Sequence, residues 1–177
     1  RPVPRAVGGR DEEKVARPAE NQPVQDPSRH EAALAGPKSA RALVEFHTRH
    51  KFLLLAHSER HYRRLGRLVA NLRNNSLREL YEEYGRGFME ALAVRTTAKK
   101  HANVLDHLTG YFSNRLSPTE RRELVELIRD YRTQLVPLVA PITLIQHYIK
   151  KYQIEYLADQ FYLAPSPKEL MLRNHVF

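Results

Sequence analysis

Arg60, Arg63, Arg64 and Arg67 stand at i, i+3, i+4 and i+7, the spacing that lines one face of a helix. Planar guanidinium groups make paired hydrogen bonds to phosphate oxygens, so such a row can grip successive phosphates of a nucleic acid. The stretch Arg41 to Arg73 holds eight basic and two acidic residues and four histidines, which concentrates positive charge beyond what a solvated helix face requires. A solvated face is nonetheless the plain alternative. A second polar strip, Asn103, His107 and Gly110 at i, i+4 and i+7, lies next to the basic pair Lys99 and Lys100. Asn and His pair with base edges or phosphates, and Gly admits close backbone approach. Helix packing around a small residue would explain the same pattern. His47, His50 and His57 are spaced so that two or three imidazoles could converge, but no His-Glu-x-x-His pattern accompanies them, so no metal is expected. Asp106 and His107 are helix neighbours that point about 100 degrees apart and form no dyad. Among the tyrosines, only an exposed minority can stack on unpaired bases, since aromatic residues at helical spacing usually belong to the core.

The elements that must position these residues are helices throughout. Apolar residues recur at three and four, and no run alternates long enough for a strand. Ser39 is expected to cap a helix to about Ala56, and Ser58 a second one with Leu65, Leu68, Val69 and Leu72 inward, before Asn74 and Asn75 break the chain. Ser76 with Glu79 forms a capping box for a third helix that buries Leu77, Leu80, Tyr81, Tyr84, Phe88 and Leu92. A fourth runs from about Thr97 to near Arg115, with Val104, Leu105, Leu108 and Phe112 inward. Ser117, Pro118 and Glu120 are the clearest helix start, followed by Leu124, Leu127, Ile128 and Tyr131 on the buried side. A sixth helix begins around Pro137 and carries Pro141 in its first turn or at a kink. A short helix around Glu155 to Gln160, a turn at Pro165-Ser166-Pro167 and a capping box from Ser166 to Glu169 complete an all-α domain of six or seven helices over 39–177.

Residues 1–38 hold six prolines, three glycines and no aromatic residue, and read as a disordered tail or linker. The 29 Lys and Arg against 20 Asp and Glu give a formal charge of +9, of which +8 falls after Lys38. That balance favours a polyanionic partner, with RNA ahead of an anionic membrane. No stretch approaches a membrane span and no signal-peptide pattern opens the chain, so a cytoplasmic location and no membrane association are expected. With no cysteine, the chain can form no disulfide, thiolate zinc site, cysteine-ligated iron-sulfur cluster or cysteine nucleophile, and no cofactor is expected.

Three strings resemble the YbgA-like domain family: Phe46-His47-Thr48-Arg49-His50-Lys51-Phe52-Leu53-Leu54-Leu55-Ala56-His57-Ser58 with Tyr62 to Ala70, then His101 to His107 through Gly110-Tyr111-Phe112, then Glu155 to Gln160, Tyr162-Leu163 and Pro167 to His175. The resemblance spans about Leu43 to Val176. It implies a domain found alone or fused behind a desulfurase-type domain, in proteins similar to tRNA 4-thiouridine desulfidases, where it is taken to bind tRNA. The cysteine-free chain departs from the fused pattern, so desulfurase chemistry does not transfer to it. The expected function is a tRNA-binding, substrate-recruiting module, with Arg60, Arg63, Arg64, Arg67, Lys99 and Lys100 on phosphates and His47, His50, His57, Asn103 and His107 as a polar site. The resemblance also implies a desulfurase-type domain or protein as a partner. A small histidine-dependent enzyme acting on nucleotides or RNA, metal-assisted or not, and a basic protein-protein adaptor are the alternatives.

Overall fold

The computed structural model describes His30, Leu34 and residues 38–71 and 76–164, and among these it is helical with no strand. In chain order the helices are α1 (Ala40–His57), α2 (Glu59–Ala70), α3 (Leu77–Ala93), α4 (Ala98–Gly110), α5 (Pro118–Arg132), α6 (Val139–Tyr152) and the single turn α7 (Glu155–Ala158), followed by a 3-10 turn, Phe161–Leu163.

Side-chain caps define most of the starts. Ser39 Oγ accepts from the Ala42 N–H at 3.0 Å, Ser58 caps α2 and Thr97 caps α4. Two of the three expected capping boxes, Ser76 with Glu79 and Ser117 with Glu120, are complete, each satisfying N–H groups that the first turn leaves without a carbonyl. Pro118 stands at the start of α5, and Pro141 falls in the first turn of α6, where its missing N–H breaks no helical bond. Past Gly110 the chain continues as hydrogen-bonded turns to Arg115, which accounts for a helical pattern that outruns α4.

α1 is the axis of the molecule. Its Leu43, Phe46, Leu53 and Leu54 pack with Leu65 and Val69 of α2 and with Leu80, Tyr84, Phe88 and Ala91 of α3. Its Phe52, Leu55 and Ala56 face the other way, into a second core with Leu105 and Leu108 of α4, Phe112 in the turn that follows it, Leu124 and Ile128 of α5, and Ile142 and Ile145 of α6. From Phe52 to His57 every residue is buried, the mark of a helix enclosed on all sides.

Several expected core positions differ. Leu77 is 37% exposed, because as the first residue of α3 it precedes the turn at which that helix meets α1. Leu68 and Leu92 are half-buried at the edge of the first core, and Leu127 is half-buried. Leu72, Asn74, Asn75, the Pro165 turn, the Ser166–Glu169 box and most of the 1–38 segment lie outside the described residues. Within that segment, His30 is buried against α1 and Leu34 packs on the α1–α3 core, so packing against the domain reaches back to His30.

Candidate functional site

The α2 arginines share a face, as their spacing requires, but they do not share a role. Arg63 is held by Glu59 one turn earlier, at 2.6 Å. Arg64 lies across α3, with Nη2 3.1 Å from Glu90 and its Nε buried. It fits there because α3 carries Gly87: a Cβ at that position would stand 2.3 Å from Arg64 Nη2. Arg64 is thus an interhelix strut. Arg60 and Arg67 are exposed, and no carboxylate among the described residues lies within ion-pair distance of either. Spacing alone offers Glu59 as the i,i+4 partner of Arg63, but not Glu90, which sits on another helix.

The basic pair divides in the same manner. Lys99 is exposed, whereas Lys100 Nζ donates to the carbonyls of His57 at 2.8 Å and Arg95 at 2.7 Å. A cation on the last carbonyl of α1 complements the negative end of that helix. This contact also brings the start of α4 against the α1–α2 junction, so Lys100 sits beside the turn from which Arg60 projects.

The three histidines do not converge. His47 Nδ1 pairs with Tyr84 Oη at 3.0 Å, and its ring lies 3.6 Å from where a Cβ on Gly66 would be. His50 Nδ1 donates to the Phe46 carbonyl at 2.8 Å, which leaves its Nε2 to accept from His30 Nδ1 at 3.2 Å; the ring is stacked between Phe46 and Phe161. His57 Nδ1 donates to the Val94 carbonyl at 2.8 Å and ties α1 to the α3–α4 connection. Burial is the main cause of lowered pKa in all three, with that of His47 and of His50 falling to about 4. They are neutral structural groups at pH 7. Among the described residues, no three His, Cys, Asp or Glu side chains gather as a metal site would need.

The strip on α4 is open. Asn103, His107 and Gly110 are exposed, and a Cβ on Gly110 would meet nothing within 4 Å. Packing around a small residue therefore does not explain this strip. Asp106, the acid beside it, is paired with Arg132 at 2.7 Å.

One constellation has no counterpart in the spacing analysis. Lys51 of α1 projects its Nζ to Tyr111 Oη at 2.8 Å and over the rings of Phe52, Tyr111 and Tyr156, 4.6 to 5.3 Å from their centroids. Tyr111 and Tyr156 stack with centroids 5.6 Å apart and planes at 19°. Burial pulls the Lys51 pKa down, but hydrogen bonds to Tyr111 and Tyr156 outweigh it and leave it above the ordinary value. The residues are 60 and 105 positions apart, which is why periodicity could not join them. They do come one from each of the three strings that carry the family resemblance. Other bonds unite the same strings: His101 Nδ1 with Tyr162 Oη at 2.9 Å, and Gln160 Nε2 donating to the Thr48 carbonyl at 3.0 Å.

Comparison with known proteins shows the family. Residues 51–167 match the model of the family described as "Protein of unknown function (DUF1722)". The chain is 37% identical over 134 residues to "Uncharacterized protein YbgA" of Escherichia coli (strain K12), which covers 75% of this chain and 79% of that protein. No solved structure matches. The chain belongs to the DUF1722, or YbgA-like, family.

Proposed function

We propose that the protein is an RNA-binding helical module, and that its RNA is tRNA, recruited for 4-thiouridine processing by a desulfurase-type partner. The observation that carries the RNA-binding part is the set of free cations: Arg60, Arg67 and Lys99 are exposed with no carboxylate partner among the described residues, in a chain of formal charge +9. Arg63 is available as well, since an exposed pair such as Arg63–Glu59 contributes little and yields to a phosphate at small cost. Arg64 and Lys100 are committed to holding helices and serve the surface indirectly. The tRNA and thiouridine parts rest on the resemblance to fused desulfidases. The histidine-dependent enzyme has no comparable support, since His47, His50 and His57 are separately bonded into the core.

The test is tRNA affinity against salt concentration. Phosphate-driven binding makes log K fall linearly with log salt, and each cation removed from a contact lowers the slope by roughly one. Arg60→Glu with Arg67→Glu, both on the solvent face, is expected to leave the fold intact, weaken binding at least tenfold and reduce the slope by about two. Unchanged affinity and slope in a folded double variant would refute the assignment.

A further inference from the structure

We propose that Lys51, Tyr111 and Tyr156 form a docking point for one unpaired nucleotide of an RNA, with its base against the exposed tyrosine stack and its phosphate drawn to the Lys51 ammonium. This rests on the RNA-binding reading and adds which form of RNA the surface selects.

Three elements build the point: the middle of α1, the C-terminal end of α4 and the single turn α7. Tyr111 and Tyr156 remain 41% and 44% exposed, whereas Tyr81, Tyr84, Tyr131, Tyr148 and Tyr162 are all at 8% or less. The two outlying tyrosines keep much of their ring surface in solvent, although Tyr111 also meets the core ring of Phe52 edge-on. Their stacking holds a pair of rings nearly parallel at the surface, so a base arriving there meets a fixed platform with little ordering left to do.

The ligand's charge follows from Lys51. A cage of aromatic faces would suit a cationic ligand, but its cation position is already filled by the protein's own ammonium. No carboxylate among the described residues forms an ion pair with Lys51, and the bonded phenol of Tyr111 keeps its own O–H free to donate. An ammonium with a neighbouring hydroxyl donor suits a phosphate oxygen, and the ring beside it suits a base. Only an unpaired nucleotide offers both together, because in a duplex the base faces are hidden in the stack.

The approach is also open. Asn103, His107 and Gly110 line the exposed face of α4 that ends at Tyr111, and the space over Gly110 is empty to 4 Å. The acid on that face, Asp106, is neutralised by Arg132. A strand laid along α4 would thus meet Lys99 at one end and the tyrosines at the other, and the one acid of α4, Asp106, is already paired.

The experiment compares the full chain with its Tyr111→Ala/Tyr156→Ala and Tyr111→Phe/Tyr156→Phe variants on two probes. One is a single-stranded oligoribonucleotide carrying 2-aminopurine, the other the same sequence as a duplex. Half-exposed tyrosines can be truncated without opening the core, and equal urea midpoints verify this. The wild type is expected to bind the single strand and quench its 2-aminopurine. The alanine variant should bind the single strand at least tenfold more weakly, with quenching lost and duplex affinity within about twofold of the wild type. The phenylalanine variant, which keeps the rings, should stay close to the wild type in quenching. Wild-type affinity and quenching in the alanine variant, or equal losses on both probes, would overturn the proposal while leaving RNA binding in place. If the wild type binds neither probe at low salt, the RNA-binding reading fails and this one with it.

Discussion

At His50, the two ring nitrogens are fixed in opposite roles. The Phe46 carbonyl can only accept, so Nδ1 carries the proton and Nε2 must accept from His30. Adding a proton would set two N–H groups against each other in a buried site, in keeping with a pKa of about 4 whose main cause is burial. His47 is lowered to a similar value, by burial first and then by the nearby Lys51. In the unfolded chain both return to about 6.5 and take up protons that the folded state refuses. Their contribution to stability is therefore complete above about pH 6.5 and is lost as pH falls towards about 4. We expect the unfolding free energy from urea titration to drop between pH 7 and pH 5, by on the order of 1–2 kcal/mol for each histidine, with the midpoint falling accordingly. A midpoint independent of pH over that range would contradict the assignment. The histidines were visible in the sequence as a cluster, but their partners His30, Tyr84 and Val94 lie 20 to 37 residues away, so convergence on a metal and separate burial could not be told apart by spacing.

Helix starts were the most legible elements, because a cap is written within four residues: Ser39, Ser58, Ser76, Thr97 and Ser117 each cap as their neighbours suggest. What a helix face meets was less legible. The α2 arginine row is correct as a periodicity, yet Arg64 is spent on Glu90 of α3 and passes over Gly87 to reach it. Two of the helical glycines, the buried Gly87 and the exposed Gly110, make a contrasting pair. An alanine at Gly87 would stand 2.3 Å from Arg64 Nη2 and 2.9 Å from Leu65 Cδ2. The arginine tip can swing away and give up Glu90, but Leu65 is fully buried and cannot. Overpacking of about 1–3 kcal/mol outweighs a helix-propensity gain of up to about 1 kcal/mol. We expect Gly87→Ala to destabilise the protein by about 1–2 kcal/mol in urea titration. Gly110→Ala meets nothing and should be neutral or stabilising; a marked loss there would show that the open face of α4 is misplaced.

Over the whole molecule, the all-helical class follows from apolar periodicity. The central place of α1 does not. A helix with apolar residues on every side from Phe52 to Ala56 has no distinct stripe, and Phe52 and Leu55 look like excess until the second core is seen to need them. Because both cores take side chains from that segment, neither half of the protein can open while the other keeps its packing. The consequence can be read from deuterium uptake. The amides of Phe52 to Ala56 should exchange only through global unfolding, with protection equal to the free energy from urea titration, while α7 and the 3-10 turn exchange through smaller openings. Separate protection factors for the two cores, each below the global value at α1, would mean that the molecule comes apart in two steps.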